Sequence, residues 1–573
     1  MVYKNVAGIY ALTLAADGEP LLPLRSDEVE PFGEDEEPAE EGGSAPVTVE
    51  IDFDGIAERV EALPLPPGNY RDLAAGDGAV FYLHGERGDF NRFEYRSLGP
   101  RDLSSFSFED REAEVVVPAV AAYALSADAS HVVYLKAGEV GLKKVREEGP
   151  PEENGGKENG QLDLSELTMR LDPKAEWRQV FDEAWRLERD FFYEPNMHGV
   201  DWPAMREKYG RMLDRATCAQ DVRFVIGELI GELATSHTYV RVGDRRRDAE
   251  GINVGMLGAD WEIDPAAGRY RVKKIYRVPD WSRGIEPPLA GPGIAVEEGD
   301  YLLEVDGREV TTDREIYAYF QGLAGRQVRL TFNDRPAGKG AREYAVEPLR
   351  SERFLRYLDW VEHNRRVVAE ASGGRLGYLH LPDTYVGSAI EFPKQFYAQS
   401  RKEGLVVDGR FNGGGLDPDI FLQRLARRPL SYWTRRYSED QLTPVYANRA
   451  HMVFLTNRQA GSGGDEIVYE FRRKGMGPVV GTRTWGGLVG VSMFISLMDG
   501  SMLTAPDYRM YTPEGEWKVE NEGVSPDIEV ELDPAEMARG HDAQLAKAIE
   551  LLLRKLDEDP LEEVSHPPFP SGI

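Results

Sequence analysis

The chain holds a single cysteine, Cys218, among 573 residues. An intramolecular disulfide is therefore excluded, and the Thr-Cys-Ala-Gln setting has the spacing of neither a redox pair nor a zinc site. A small buried thiol is the expected role. Positive charge is scarce as well: Lys and Arg total 68 against 100 Asp and Glu, a formal net charge of -32. Such a surface does not blanket phosphates, so nucleic acid is not an expected partner. Long apolar runs are missing too. No stretch approaches the roughly 18 uninterrupted apolar residues of a membrane span, and the opening "MVYKNVAGIYALTLAADGEP" has no basic leader followed by an apolar core. A soluble, cytoplasmic protein without membrane contact is expected.

What is present organises into several domains, because a chain of this length exceeds one hydrophobic core. Residues 1–148 read as β structure: "GIYALTL", "APVTVEIDF", "AVFYLHG", "FEYRSL", "AEVVVPAV", "AYALSA" and "HVVYLKAG" are short β-rich runs divided by turn signals. At about 40 to 45 residues per four-stranded blade the stretch holds about three, too few to close a propeller. It is either a smaller β sandwich or the C-terminal blades of a propeller whose earlier blades lie outside this chain, and the spacing favours the second. The run "RSDEVEPFGEDEEPAEEGGSAP" within it is a solvated acidic loop. A low-complexity stretch gives a linker over 149–170.

Residues 171–248 read as helical, with Trp177, Val180, Phe181, Trp185, Leu187 and Phe191 at near-helical spacing as core. Residues 249–350 return to strands; "GDYLLEVDG", the turn "VDGREV", a short helix and a last strand follow the order of a PDZ-like module, a fold that takes an extended chain at a sheet edge. Residues 351–560 interleave apolar strands ("GRLGYLHL", "LVVD", "MVFLT", "PVVGTRT", "SMLTAP") with helices, the pattern of an α/β layer. Residues 561–573 form a tail. The fold class expected is multidomain α+β: partial β-propeller, helical segment, PDZ-like domain and α/β core.

Active groups of such a sheet lie at the carboxyl ends of its strands, where two glycine-rich stretches fall. In "AGSGGDE", Ser462 follows a strand and precedes a helix, so the next backbone N–H groups and the helix N-terminus favour an anion developing above its Oγ. Ser462 is either a nucleophile on a sharp elbow or a turn residue and N-cap. In "VDGRFNGGG", successive glycines bring bare N–H groups close to whatever is bound, as an oxyanion hole requires; Arg410 and Asn412 beside them argue for a specific loop. With nine histidines in the chain, His237 in "ATSHTYV", at a helix end among hydroxyls, is a candidate base or a structural imidazole.

Taken in order, "SHTY", the PDZ-like module, "VVDGRFNGGG", "TNRQAGSGGDE", "GTRTWGG" and "VENEGVSPDIEVE" resemble the tricorn-type serine peptidases, relatives of the C-terminal processing peptidases; "VEIDFDGIAERVEALPLPPGNYR" is similar to tricorn propeller sequence. The resemblance implies Ser462 as nucleophile, His237 as general base, Ser236 as the residue polarising the histidine and Glu520 as the acid interacting with Ser236. It implies an oxyanion hole from the N–H groups of Gly463 and Gly415, with Gly414 and Trp433 in substrate binding. It also implies Ser-His acyl-enzyme hydrolysis of short peptides left by a larger protease such as the proteasome, in a ring-like, hexameric homo-oligomer with no cofactor and no metal.

One internal test supports the resemblance and one departure limits it. The related branch pairs its serine with a lysine in Thr-Phe-Gly-Lys-Gly, but the corresponding "RTWGGLVG" has Gly487 there, which favours the histidine mechanism. Trp433 stands where the family has an acid that binds basic side chains, so no preference for basic residues is carried over. Readings from other classes are a non-catalytic peptide-binding scaffold and an esterase using the same site.

Overall fold

The computed structural model describes residues 7–18, 20–23, 49, 51–76, 78–85, 100–136, 138–145, 160–164, 167–241, 251–278, 285–492, 494–562, 564–568 and 571. Contacts divide the chain into two compact units, Met1–Arg170 and Leu171–Ile573. The acidic loop expected near 25–46, the "FEYRSL" strand and most of the linker lie outside the described residues.

In the first unit, β-rich runs joined by tight turns pair with their sequence neighbours, as local chain connectivity favours. Asn69–Gly76, Ala79–Gly85, Arg101–Ser107 and Ala113–Val120 form a four-stranded antiparallel meander, the construction of a propeller blade. Ala122–Leu125, His131–Lys136 and Glu139–Lys144 form a three-stranded sheet, and Tyr10–Leu12 pairs with Val60–Ala62. Phe81, Leu83, Leu103, Val117 and Val132 make the core.

The second unit begins with three helices, Pro173–Phe191, Trp202–Leu213 and Ala219–Gly231. Asp172 caps the first by accepting the N–H groups of Lys174 and Ala175, with proline at the first helical position where its missing N–H costs nothing. Val180, Phe181, Ala184, Trp202 and Leu229 pack between the helices. Two expectations are corrected here. Phe191 is exposed and Phe192 buried instead, because the helix ends at 191 and the next residue turns inward. Cys218 is exposed rather than buried, because it is the N-cap of Ala219–Gly231 and stands outside the helix proper.

An antiparallel sheet ordered Ala259–Asp264, Arg269–Ile275, Tyr301–Val305, Val328–Asn333 and Arg342–Val346 follows. Its core is Leu302, Val305, Leu330 and Phe332. The short helix expected after "VDGREV" is a single 3-10 turn, Ile316–Tyr319.

The last layer is a parallel sheet ordered Leu376–His380, Gly404–Asp408, His451–Thr456, Val479–Gly481 and Ile528–Glu529. Continuous apolar strands need cover on both faces. Arg353–Ala371 and Ala543–Glu558 contribute Val361, Val368, Leu545 and Leu552 to one face. Val386–Tyr397, Pro418–Leu425 and Gly463–Arg473 contribute Phe396, Phe421, Ile467 and Phe471 to the other. Each such side chain, fully buried, is worth about 1.5–3 kcal/mol, which fixes the strand ends that carry the glycine-rich loops.

Met502–Thr504 does not join this sheet, contrary to the expected role of "SMLTAP". It pairs with Tyr239–Arg241 on one side and Phe494–Ser496 on the other. That small sheet fastens the segment after His237 to the core: Thr504 Oγ1 accepts from Tyr239 N at 2.8 Å and donates to His237 O at 2.6 Å.

Candidate active site

Ser462 sits between the strand His451–Thr456 and the helix Gly463–Arg473. Its φ is 58°, a region that L-residues occupy at a cost of about 1–3 kcal/mol and keep only when neighbours enforce it. Buried Asp465 enforces it, accepting Ser462 N at 2.8 Å and Gly486 N at 2.8 Å, and Gly487 N at 3.3 Å; the Thr484 hydroxyl also donates to it. Burial pushes the Asp465 carboxyl up, against the pull of these bonds. Sequence reading passed over Asp465, although Ser-x-x-Asp before an apolar run is a capping signature.

The glycine loop leaves the neighbouring strand Gly404–Asp408 and is braced from beneath. Buried Arg410 donates to Asp408 and to Asp542, each at 2.7 Å. Asn412 donates to Leu381 O and accepts Gly414 N, both at 2.9 Å. Thr384 N donates to Gly414 O at 2.9 Å. So held, the loop lies against the serine: a Cβ added to Gly414 would come within 2.7 Å of Ser462 Cβ and 3.2 Å of Gly463 N. A Cβ on Gly463 would stand 2.9 Å from Gly415 N and would collide with Thr384 Oγ1. Gly414, Gly415 and Gly463 are thus packed against one another beside Ser462. Thr384, also missed in the sequence, is buried there, and among the described residues its hydroxyl has no hydrogen-bond partner.

Glu520, Ser236 and His237 meet across 284 residues of chain. Glu520 accepts Ser236 N at 2.7 Å, Ser236 Oγ at 3.0 Å, Thr235 Oγ1 at 3.1 Å, and the amides of Leu488 and Val489 at 2.6 and 2.9 Å. Burial alone would raise its carboxyl; the bonds from Ser236, Val489 and Leu488 outweigh that and hold it below the usual range. Ser236 Oγ lies 2.9 Å from His237 Nδ1. A hydroxyl has one proton, and that proton is directed at Glu520. Ser236 must then accept from Nδ1–H, which leaves the lone pair of His237 on Nε2. Burial lowers the imidazole pKa, partly offset by the Glu520 charge, so the ring is neutral at pH 7. Backbone strain gathers here as well: His237 has φ 60°, and Val519 and Asn521, either side of Glu520, have φ 76° and 64°.

Trp485 bridges the two halves. Its ring is 5.4 Å from that of His237, and it covers Gly461, where an added Cβ would fall 2.6 Å from Cε3. It also fills the space above Gly487, whose added Cβ would come within 2.5 Å of Cε3 and 2.7 Å of Cη2. Of the remaining residues singled out in the sequence, Trp433 is on the hairpin Ser431–Arg435 and Ser438–Thr443, 65% exposed. Among the described residues no hydrogen bond or ring contact ties it to the others. None of the described residues forms a group of three or more His, Cys, Asp or Glu placed to hold a metal ion, and no described helix is long and apolar enough to cross a membrane.

Comparison with known proteins follows the same division. The tricorn protease C1 domain matches residues 173–231, the tricorn protease PDZ domain 255–351 and peptidase family S41 375–530. Tricorn protease homolog 1 of Streptomyces coelicolor is 34% identical over 518 residues, covering 90% of this chain and 48% of its own. The tricorn protease of Thermoplasma acidophilum is 30% identical over 511 residues, covering 88% of this chain and 46% of its own. The crystal structure of the tricorn protease superposes with a TM-score of 0.78 at 28% identity, over 91% of this chain and 50% of that one. The chain spans about half the length of these relatives. With a C1-type helical segment, a PDZ domain and an S41 core following one another along the chain, the chain belongs to the tricorn-type serine peptidases.

Proposed function

We propose that this chain hydrolyses short peptides through an acyl-enzyme on Ser462. The observation that carries the reading is the hydrogen-bonded line from Glu520 through Ser236 to His237 Nδ1, which leaves Nε2 free to take a proton. Nε2 removes the proton of Ser462 Oγ as the oxygen attacks the peptide carbonyl carbon. The carbonyl oxygen gains the negative charge and is held by Gly463 N–H and Gly415 N–H. As the C–N bond breaks, the imidazolium returns its proton to the departing amine. Water, deprotonated in turn by Nε2, then releases the acyl group as a carboxylate and restores Ser462.

The substrates on this reading are peptide fragments left by a larger protease such as the proteasome. The working form is a ring-like homo-oligomer, hexameric by its resemblance to the family, in the cytoplasm. Gly414 and Trp433 are assigned to substrate binding, Gly414 through its approach to Ser462.

Fluorophosphonate labelling mapped by mass spectrometry, on the wild type beside His237→Ala, tests the chemistry. Modification of Ser462 that is lost without His237, together with turnover of fluorogenic tetrapeptides, is expected. Peptide binding without labelling or turnover would replace the enzyme with a scaffold, and turnover of esters alone would make it an esterase.

A further inference from the structure

The hydrolysis proposed above requires His237 to hand its proton to the departing amine, so the residue that leaves passes beside the imidazole. Two aromatic rings flank the imidazole. Trp485 is 5.4 Å from the His237 ring at an interplanar angle of 51°, and Tyr239 is 6.0 Å away at 57°. Both are 44% exposed, and neither is spent on the core. Phe494, 60% exposed, pairs with Thr504, as does Tyr239, and directly opposed residues share one face of a sheet.

The indole is a rigid platform. Trp485 N donates to Ala460 O at 2.9 Å, Thr484 and Gly486 on either side are tied to Asp465, and Gly461 and Gly487 back the ring where any side chain would displace it. Glu520 already accepts three backbone amides and two hydroxyls, so its oxygens are engaged within the site, and Arg241 is the other charge that acts on Tyr239.

We propose that Trp485 and Tyr239 form a subsite for a large apolar or aromatic side chain on the first residue after the scissile bond. Trp485 is the specificity-determining member. The assignment rests on the proposed hydrolysis, so two measurements separate their fates. In the first, kcat/KM is compared for internally quenched peptides that differ only in having Phe or Ala after the cleaved bond. Wild type is expected to favour Phe by about 10-fold or more, Trp485→Ala to bring the ratio near one, and Trp485→Phe to keep most of it.

In the second, the dipeptides Phe-Ala and Ala-Ala, which mimic the leaving product, are titrated calorimetrically into Ser462→Ala and into the Ser462→Ala, Trp485→Ala double variant. Tighter binding of Phe-Ala that disappears with Trp485 supports the subsite even if wild type hydrolyses nothing, in which case only the proposed function falls. Turnover whose Phe/Ala ratio is unchanged in Trp485→Ala, or equal binding of the two dipeptides, overturns the subsite and leaves the hydrolysis standing.

Discussion

Glu520 accepts both the backbone N–H and the hydroxyl of Ser236, at 2.7 and 3.0 Å. The carboxylate is held ionised by these and by the Leu488 and Val489 amides. Glu520→Gln keeps the shape but turns amide protons toward existing donors, and a lost charge-assisted bond lowers kcat/KM by about 10- to 100-fold. The pH profile gives a second readout. A base works only when neutral, so activity rises as pH passes upward through the His237 pKa. Burial sets that pKa below the usual value of about 6.5, placing the acid limb on the low side. Since the Glu520 charge raises it, Glu520→Gln moves the limb to still lower pH.

Gly414→Ala places a methyl 2.7 Å from Ser462 Cβ and 2.8 Å from Gly461 O, at a position whose φ is 80°. The loop must retreat from the serine, carrying Gly415 N–H with it. A fall in kcat of about 100-fold or more is expected, with Ser462 labelling slowed in proportion and the melting temperature little changed. An unaltered kcat would place the working oxyanion donors elsewhere.

Asp465→Ala strips a shared acceptor from Ser462 N, Gly486 N, Gly487 N and the Thr484 hydroxyl. Buried donors left unpaired cost about 1–3 kcal/mol each, so urea unfolding should show a loss of about 3 kcal/mol or more, and Ser462 should cease to label. Asp465→Asn, which keeps one acceptor oxygen, is expected to fall between the two.

Glu188 is buried in the first helix of the second unit, with neither carboxyl oxygen hydrogen-bonded among the described residues, and burial pushes its pKa up to about 8. The folded chain therefore keeps a proton that the unfolded chain releases in the ordinary carboxyl range. The contribution to stability is whole at low pH and declines as pH rises through about 8. Glu188→Gln removes the decline, so the variant should melt higher than wild type at about pH 9 while differing less at about pH 5. Equal differences at both pH values would mean that the carboxyl is not the titrating group.

Features encoded locally could be read in the chain, and features made by packing could not. The strand–Ser462–helix elbow and the glycine loop after Gly404–Asp408 are short-range patterns, and they emerge side by side because neighbouring parallel strands end at one edge of the sheet. The meeting of Ser236 with Glu520 spans 284 residues and was suggested by resemblance, since no periodicity reports such a contact. Thr384 carries no signal at all: a threonine becomes an unpartnered buried hydroxyl only through what folds over it. "SMLTAP" was misplaced because an apolar strand does not declare which sheet it will join, and the antiparallel partner Tyr239–Arg241 lies in a distant segment. Cys218 was misjudged by residue type, where its position at a helix start decided the outcome.

The indole above Gly487 also bears on how such a site could change its chemistry over generations. A lysine substituted at 487 must push its first carbon through the ring of Trp485, and removing Trp485 first strips the face of His237 before any replacement base is present. The first step is blocked while the indole stays, and the second gives up the aromatic surface beside the histidine before any amine base is gained. The barrier between an imidazole-driven and an amine-driven serine here is therefore one of order of mutation as much as of reactivity, and a library that randomises 485 and 487 together would find routes that one-at-a-time scanning misses.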